Sequence, residues 1–222
     1  MKELTLVIPA KDEAECLPRV LDELKNFDCK KIIIIPETDL NTRNSIKNFD
    51  CKIIVEKAGG FGRALILGIK EVETNFLCIF NADGSFDHQY LKNMYNELLN
   101  NCDFVFNSRY ENEGGSDDDT LLTHIGNKII TFTCNLLFGL NISDVLFTYA
   151  MGKTSAFKSL NLERKDFCFC IELPVLAKFK KYKFISKPSY ERSRISGRKK
   201  LNEFKDGFLM LLCILKLFIF RK

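Results

Sequence analysis

Short apolar runs alternate with stretches in which apolar residues recur every three or four positions, and this alternation fills the first hundred residues. Leu4 to Pro9 is an uncharged run, the pattern of a strand buried on both faces. From Glu13 to Asn26, Leu17, Val20, Leu21 and Leu24 fall on one face of a helix. Ile32 to Ile35 and Lys52 to Val55 read as the next strands, each entered through the same five residues, Asn-Phe-Asp-Cys-Lys, starting at Asn26 and Asn48. That repeat is too short for a solenoid and marks two similar turns feeding two strands. A helix over Gly62 to Val72, a strand at Phe76 to Phe80, a helix from Gln89 to Asn100 and a strand at Phe104 to Asn107 continue the series. Strands without polar alternation, each followed by an amphipathic helix, predict an α/β fold: a mostly parallel, Rossmann-like sheet with helices on both faces.

After Arg109 the pattern changes. Glu111 to Asp119 is polar and contains glycine, so a mobile loop is expected there. A helical apolar stretch follows, Ile125 to Phe138, stopped by Gly139. Lys165 to Lys200 reads as short strands mixed with basic residues, with Cys168 and Cys170 alternating with Phe167 and Phe169 in a strand or turn. Phe208 to Phe220 is apolar except for Lys216, about 13 residues where a membrane-spanning helix needs about 20. Such a segment either lies in a membrane interface or packs on the core or a partner chain.

Length and composition narrow the picture. A chain of 222 residues, 46% hydrophobic, supports one large core and one domain. The net charge of +4 is small, but the last third is basic and Glu111 to Asp119 acidic, which points to an anionic ligand or membrane surface near the carboxyl end. The charge is too diffuse for nucleic acid, and no nucleic-acid-binding motif supports one. The nine cysteines sit singly in or beside apolar runs, without a Cys-x-x-Cys pair, and read as reduced core residues of a cytoplasmic protein. The amino terminus enters an apolar strand with no basic region ahead of it, so no signal peptide is expected.

In an open parallel sheet the ligand lies beyond the carboxyl ends of the strands, so the loops after the strands hold the candidate chemistry. The first is Pro9-Ala10-Lys11-Asp12-Glu13, where helix-start amides and acidic side chains suit a nucleoside; Asp12 as a plain helix cap is the alternative. The third is Glu56-Lys57-Ala58-Gly59-Gly60-Phe61-Gly62-Arg63. Its glycines, a helix amino terminus and Arg63 suit a diphosphate, but the spacing fits neither the Walker nor the dinucleotide pattern, and alone it equally makes a plain turn. The fourth is Asn81-Ala82-Asp83-Gly84-Ser85, directly after an apolar strand. A carboxylate there with an oxygen donor two residues earlier reaches a divalent ion, Mg2+ or Mn2+, while phosphates complete the shell; a bare Asp-Gly turn is the alternative.

These loops, in order with Asn107-Ser108-Arg109-Tyr110, Gly114 to Thr120, Gly126-Asn127, Leu137-Phe138-Gly139 and Arg194-Ile195-Ser196-Gly197, resemble a family 2 glycosyltransferase over nearly the whole chain. The likeness is nearest to bacterial members related to polyprenyl- and dolichyl-phosphate sugar synthases. It implies a GT-A fold with a carboxyl-terminal extension on the acceptor side, in a single domain over 1–222. Residues 1–110 would form the nucleotide-sugar half, 111–204 the acceptor half and 205–222 an apolar, membrane-associating tail. It further implies that Pro9, Ala10 and Glu13 contact the nucleoside with Glu37, Gly60 and Arg63 nearby. By the same resemblance Asn81 and Asp83 match the metal-and-diphosphate element, and Asp144 and Glu172 the carboxylates near sugar and acceptor. Arg194 and Lys200 match a stretch that closes over phosphates. The chain departs from the family pattern at Asn81 for the first Asp, Phe61 for a common Lys, Pro36-Glu37-Thr38-Asp39 for a loop that starts with Asp, and Thr148 and Ala150 beside Tyr149. Asn81 removes one charge from the metal site.

The implied reaction is a single inverting displacement at the anomeric carbon, with charge on the leaving nucleoside diphosphate neutralised by metal at Asp83 and by Arg63, Arg194 and Lys200. A lipid phosphate acceptor is anionic already and needs cations, whereas a sugar hydroxyl needs a general base, Asp144 or Glu172. The basic run Arg192 to Lys200 ahead of an apolar tail favours a lipid-linked acceptor and a peripheral position on the inner face of the cell membrane. Two other classes remain: a sugar nucleotidyltransferase, which wants a glycine-rich first loop that this chain lacks, and a non-catalytic sugar-nucleotide-binding protein, which Asn81 and the altered second loop favour.

Overall fold

The structure, a computed structural model, describes residues 1–100, 102–197 and 203–220. Its elements are β1 (Leu4–Pro9), α1 (Leu17–Glu23), β2 (Lys30–Pro36), α2 (Leu40–Ser45), β3 (Lys52–Glu56), α3 (Phe61–Lys70), β4 (Phe76–Ile79), α4 (Tyr90–Leu99) and β5 (Phe104–Ser108). There follow β6 (Gly115–Ser116), α5 (Leu121–Phe138), β7 (Ala150–Lys153), α6 (Thr154–Ser159), α7 (Phe169–Phe179), β8 (Phe184–Pro188), β9 (Tyr190–Glu191) and α8 (Glu203–Ile219).

Seven strands form one sheet in the order β3-β2-β1-β4-β7-β5-β8, and β6 pairs with β9 in a small separate ribbon. The apolar runs are strands buried on both faces because each face of β1 meets its own helices. Leu4, Leu6 and Ile8 pack with Leu17, Val20 and Leu21 of α1 and with Leu91 and Met94 of α4. Val7, with Ile32 and Ile34, packs against Leu65 and Ile69 of α3 on the opposite face. The sheet is parallel except at β7, which runs antiparallel to both β4 and β5 and so closes the gap between them. No hydrophobic run marks β7: its Gly152 lies where a Cβ would fall 2.6 Å from the Phe104 ring, so the strand is chosen by its neighbours rather than its own propensity.

The second half departs from expectation in three places. The helix expected from Ile125 begins at Leu121, because Thr120 and Thr123 form a reciprocal capping box one turn earlier; it ends, as expected, at Gly139, whose φ of 63° closes the helix. The segment containing Cys168 and Cys170 is no strand or turn: Cys168 is the N-cap of α7 and Cys170 lies in its first turn, both buried. The loop expected to be mobile at Glu111 to Asp119 is pinned by β6 and by the Ser116 hydroxyl, which accepts the amides of Asp118 and Asp119 at 3.1 Å each.

α8 lies on α5 and α7, burying Met210, Cys213 and Ile214 against Ile130, Cys134, Phe138, Ile171 and Val175. The outer flanks of the two helices stay in solvent. On α5 these are Leu121, Ile125, Ile129, Phe132 and Leu136, at 67% exposure for Phe132 and 71% for Leu136; on α8 they include Phe208, Leu212, Leu215 and Ile219. Among the described residues no helix is long and apolar enough to cross a membrane.

Candidate active site

A cavity of about 710 Å³ opens where β1, β2, β3 and β4 end, lined by Pro9, Pro36, Glu56 and Asn81 at those four ends. It continues between α5, α7 and α8, where Leu122, Gly126, Ile130, Phe167, Gly207 and Met210 line it. One end is therefore rich in charge and the other apolar.

The first loop is stitched to the second. The Asp12 amide donates to Asp39 Oδ2 at 2.6 Å and the Glu13 amide to Thr42 Oγ1 at 2.9 Å, while Asp39 caps α2 through Thr42. Asp12, at φ 54°, is thus a turn residue and not a helix cap. Pro9, Ala10, Glu13 and Glu37 all line the cavity.

The glycine-rich loop is used differently from the sequence reading. Glu56 accepts the amide of Ala58 at 2.7 Å and that of Gly59, and the Arg63 amide donates to the Lys165 carbonyl at 3.1 Å. Gly60, at φ 122°, has that same carbonyl 2.5 Å from where a Cβ would be, so it is required for packing of α3 against 164–166. One amide of the α3 amino terminus, that of Arg63, is therefore taken by protein. Arg63 does not line the cavity; its Nε lies 3.8 Å from Glu56 Oε1, while Gly60, Phe61 and Ala64 face the cavity and Phe61 stacks on Phe167.

After β4, Asp83 makes a tight Asx turn: its Oδ1 accepts the Ser85 hydroxyl at 2.7 Å and the Ser85 amide at 3.0 Å. Asn81 donates its amide to Ser85 Oγ at 3.3 Å. The other Asp83 oxygen, Oδ2, lies 3.6 Å from Arg194 Nη1, and Arg194 Nη2 also donates to Asp118 Oδ2 at 3.1 Å. Burial pulls the Arg194 pKa down, but Asp118 and Asp83 outweigh it and leave it raised. A cation thus already sits between the two carboxylates, and the Asp83 oxygen beside it, the one not used by Ser85, is of the hard donor type that a divalent ion takes. Among the described residues no group of three or more His, Cys, Asp or Glu side chains is assembled for a metal.

Asp144 is withdrawn from the cavity. Its side chain is 0% exposed and held by both forks of Arg109, Nε to Oδ2 at 2.7 Å and Nη2 to Oδ1 at 3.1 Å. Arg109 also reaches Glu191 at 3.2 Å and Asp119 at 3.5 Å. Burial pushes the Glu191 carboxyl up against the pull of Arg109 and Ser116. Glu172 does not line the cavity either: its Oε2 accepts the amides of Glu163 and Arg164 at 3.0 and 2.8 Å, fixing the loop before α7, and burial raises its pKa over those amides. Lys200 lies outside the described residues.

Of the residues singled out in the sequence, the fold brings Pro9, Ala10, Glu13, Glu37, Gly60, Asn81, Asp83 and Arg194 together. Asp118, Asp119 and Arg109 line the same cavity and were given no role in the sequence reading. The signal was present, three consecutive aspartates after Gly-Gly-Ser, but it reads equally as solvated loop until Arg194 is seen to meet it.

Comparison with known proteins gives the site a context. The low-salt glycan biosynthesis hexosyltransferase Agl6 of Haloferax volcanii is 24% identical over 213 residues, which cover 92% of this chain but only 51% of that protein. The UDP-N-acetylglucosamine–dolichyl-phosphate N-acetylglucosaminyltransferase of Methanococcus voltae is 26% identical over 202 residues, 80% of each chain. Among solved structures, glucosyl-3-phosphoglycerate synthase from Mycobacterium tuberculosis in complex with phosphoglyceric acid superposes with a TM-score of 0.77 at 12% identity, covering 97% of this chain and 79% of that one. Its complex with Mg2+ and UDP gives 0.74, at 97% and 79%. At this identity the superpositions establish a shared GT-A fold. The glycosyl transferase family 2 profile matches residues 5–160 of the 222, and on that extent of match the chain belongs to this family.

Proposed function

We propose that the protein transfers a sugar, with inversion, from a nucleoside diphosphate sugar to a polyprenyl phosphate. The observation that carries this reading is the division of the cavity: a cationic and acidic end at the strand termini, and an apolar end between α5 and α8. Pro9, Ala10, Glu13 and Glu37 would hold the nucleoside, with Gly60 beside the sugar-nucleotide and Arg194 facing its phosphates together with Lys57, which also lines the cavity. Asp83, beside the neutral Asn81, would hold Mg2+ or Mn2+ shared with the diphosphate, which when bound neutralises charge on the leaving group. Arg194 would exchange Asp83 for phosphate oxygens as the donor enters, and Lys200 is proposed as a second phosphate-binding cation.

A phosphate acceptor needs no base, and both carboxylates nominated as base, Asp144 and Glu172, are tied to other partners away from the cavity. The name of the Methanococcus relative, a dolichyl-phosphate transferase, supports the same acceptor class. A sugar hydroxyl is the second reading, favoured by Asp119, a carboxylate that lines the cavity. The exposed apolar flanks of α5 and α8 would hold the protein against an anionic membrane as a peripheral partner, on its cytoplasmic side. Residues 1–110 would then serve the donor, 111–204 the acceptor and 205–222 the membrane.

The test is transfer of radiolabel from UDP-, GDP- and dTDP-sugars, with Mg2+ or Mn2+, to a polyprenyl phosphate and to a lipid-linked sugar. Product on the phosphate, retained in Glu172→Gln and lost in Arg194→Ala, is the expected result. Product on the sugar hydroxyl alone refutes the acceptor assignment, and no transfer from any donor refutes the enzyme.

A further inference from the structure

At two glycines of the cavity, nothing among the described residues requires the residue to be glycine. Gly126 lies inside α5 and Gly207 inside α8, and neither has the positive φ that would require the residue. Added Cβ atoms would meet no atom of the described residues within 4 Å at either position. That contrasts with Gly62, Gly68 and Gly152, where a Cβ would fall under 3 Å from a neighbour. Glycine inside a helix destabilises it relative to alanine, so two such residues that neither packing nor backbone demands are paired with a different need. Both line the cavity, and α5 and α8 are in contact.

Their placement says what that need is. Along α5, Leu122, Thr123, Gly126, Asn127 and Ile130 form the stripe that faces the cavity. Leu121, Ile125 and Ile129 form the neighbouring stripe, exposed to solvent. On α8, Gly207 and Met210 face the cavity while Phe208 and Leu211 beside them are exposed. Apolar outer surface therefore adjoins the cavity at the two glycines. At the other end stand Arg194 and Asp83, the charged groups at which a phosphate would react.

We propose that Gly126 and Gly207 keep open a passage between α5 and α8 through which the hydrocarbon of a polyprenyl phosphate runs from the exposed apolar flank to the charged end of the cavity. The inference rests on the lipid-acceptor reading and adds the residues that set the width of its path. A side chain at either position would narrow the passage from within and leave the donor end untouched.

The experiment compares Gly126→Leu and Gly207→Leu with Gly126→Ala and Gly207→Ala in the full chain. Melting temperature, binding of UDP-sugar by calorimetry, binding of a fluorescent polyprenyl phosphate in detergent, and transfer to a short and a long polyprenyl phosphate are measured for each. The alanine variants should melt at the wild-type temperature or roughly 2–4 °C above it. The leucine variants should keep their donor affinity and lose roughly tenfold or more in kcat/KM for the long acceptor, with a smaller loss for the short one. Leucine variants that fold, bind donor and use the long acceptor with unchanged KM overturn the passage and leave the lipid acceptor standing. A wild-type protein that neither binds nor glycosylates any polyprenyl phosphate overturns both. Alanine variants that melt well below wild type overturn the premise that these positions are open.

Discussion

The two ends of the cavity are built on opposite principles. At the charged end both arginines are matched: Arg109 is shared by Asp144, Glu191 and Asp119, and Arg194 bridges Asp83 and Asp118. Folding alone fixes those side chains, so the end that would meet diphosphate is organised before a ligand arrives, which limits the reorganisation needed at reaction. At the apolar end, α5 and α8 bury one face in each other and on α7 and leave wide apolar flanks in water. Apolar side chains left in solvent add nothing to stability, so contiguous ones point to a function outside folding. One end is thus held by contacts within the chain, whereas the other keeps apolar surface that no described residue covers.

The largest test of the comparison is Arg109→Ala. It strands the fully buried Asp144 and should destabilise by about 3–5 kcal/mol in urea unfolding, since a buried charge that loses its partner has no compensation. A loss under about 1 kcal/mol would break the claim that the charged end is organised by folding. Next in size is Asp83→Ala, which should abolish metal-dependent donor binding in titration calorimetry, while Asn81→Asp tightens metal binding by adding a second anion. Unchanged nucleotide affinity in Asp83→Ala would remove Asp83 from the site.

At the apolar end the contrast sharpens into a separation of stability from membrane binding. Ile129→Ser combined with Phe132→Ser changes exposed positions, so stability should stay within about 0.5 kcal/mol while flotation with anionic liposomes falls. Flotation equal to wild type would count against the α5 flank as a membrane surface. Truncating after Asp206 is a poorer test, because it also removes Met210, Cys213 and Ile214 from the packed core.

The smallest effect lies away from the cavity, at Glu23, where burial pushes the carboxyl up but Arg192 and then His88 outweigh it and hold it below its ordinary value. A depressed carboxyl contributes stability above its unfolded pKa, near 4.3, that is lost as pH falls through the folded value. Glu23→Gln should therefore flatten the acid limb of the stability curve below about pH 4 by a few tenths of a kcal/mol, the scale of a partly exposed ion pair. A curve parallel to wild type would show that the pair contributes nothing.

The strands of the first half were legible because burial on both faces leaves an uninterrupted apolar run, as in Leu4 to Pro9, and the loops after them could be located from the strands alone. β7 was not, since Ala150 to Lys153 carries no pattern of its own and is held by β4 and β5 on either side. α7 was misread because Phe-Cys-Phe-Cys alternates like a strand, yet it is the three-dimensional need to cover Leu77, Phe104 and Phe106 that sets Phe169 and Leu173 on one helical face. Asp83 was singled out by its position after a buried strand, whereas Asp118 is more than thirty residues away and becomes its neighbour only through Arg194.

Local periodicity and burial act on neighbours in the chain, so the alternation of strand and helix, the sheet's parallel first half and the position of the loops after its strands could all be read along it. Which charges face the cavity and which pair elsewhere follows from the fold in three dimensions. Arg109 and Asp144 are 35 residues apart, and Arg194 and Asp83 are separated by half of the chain. Coulomb attraction and hydrogen bonding depend on distance in space, so no pattern along the chain can tell a carboxylate that faces the cavity from one that folding has already neutralised.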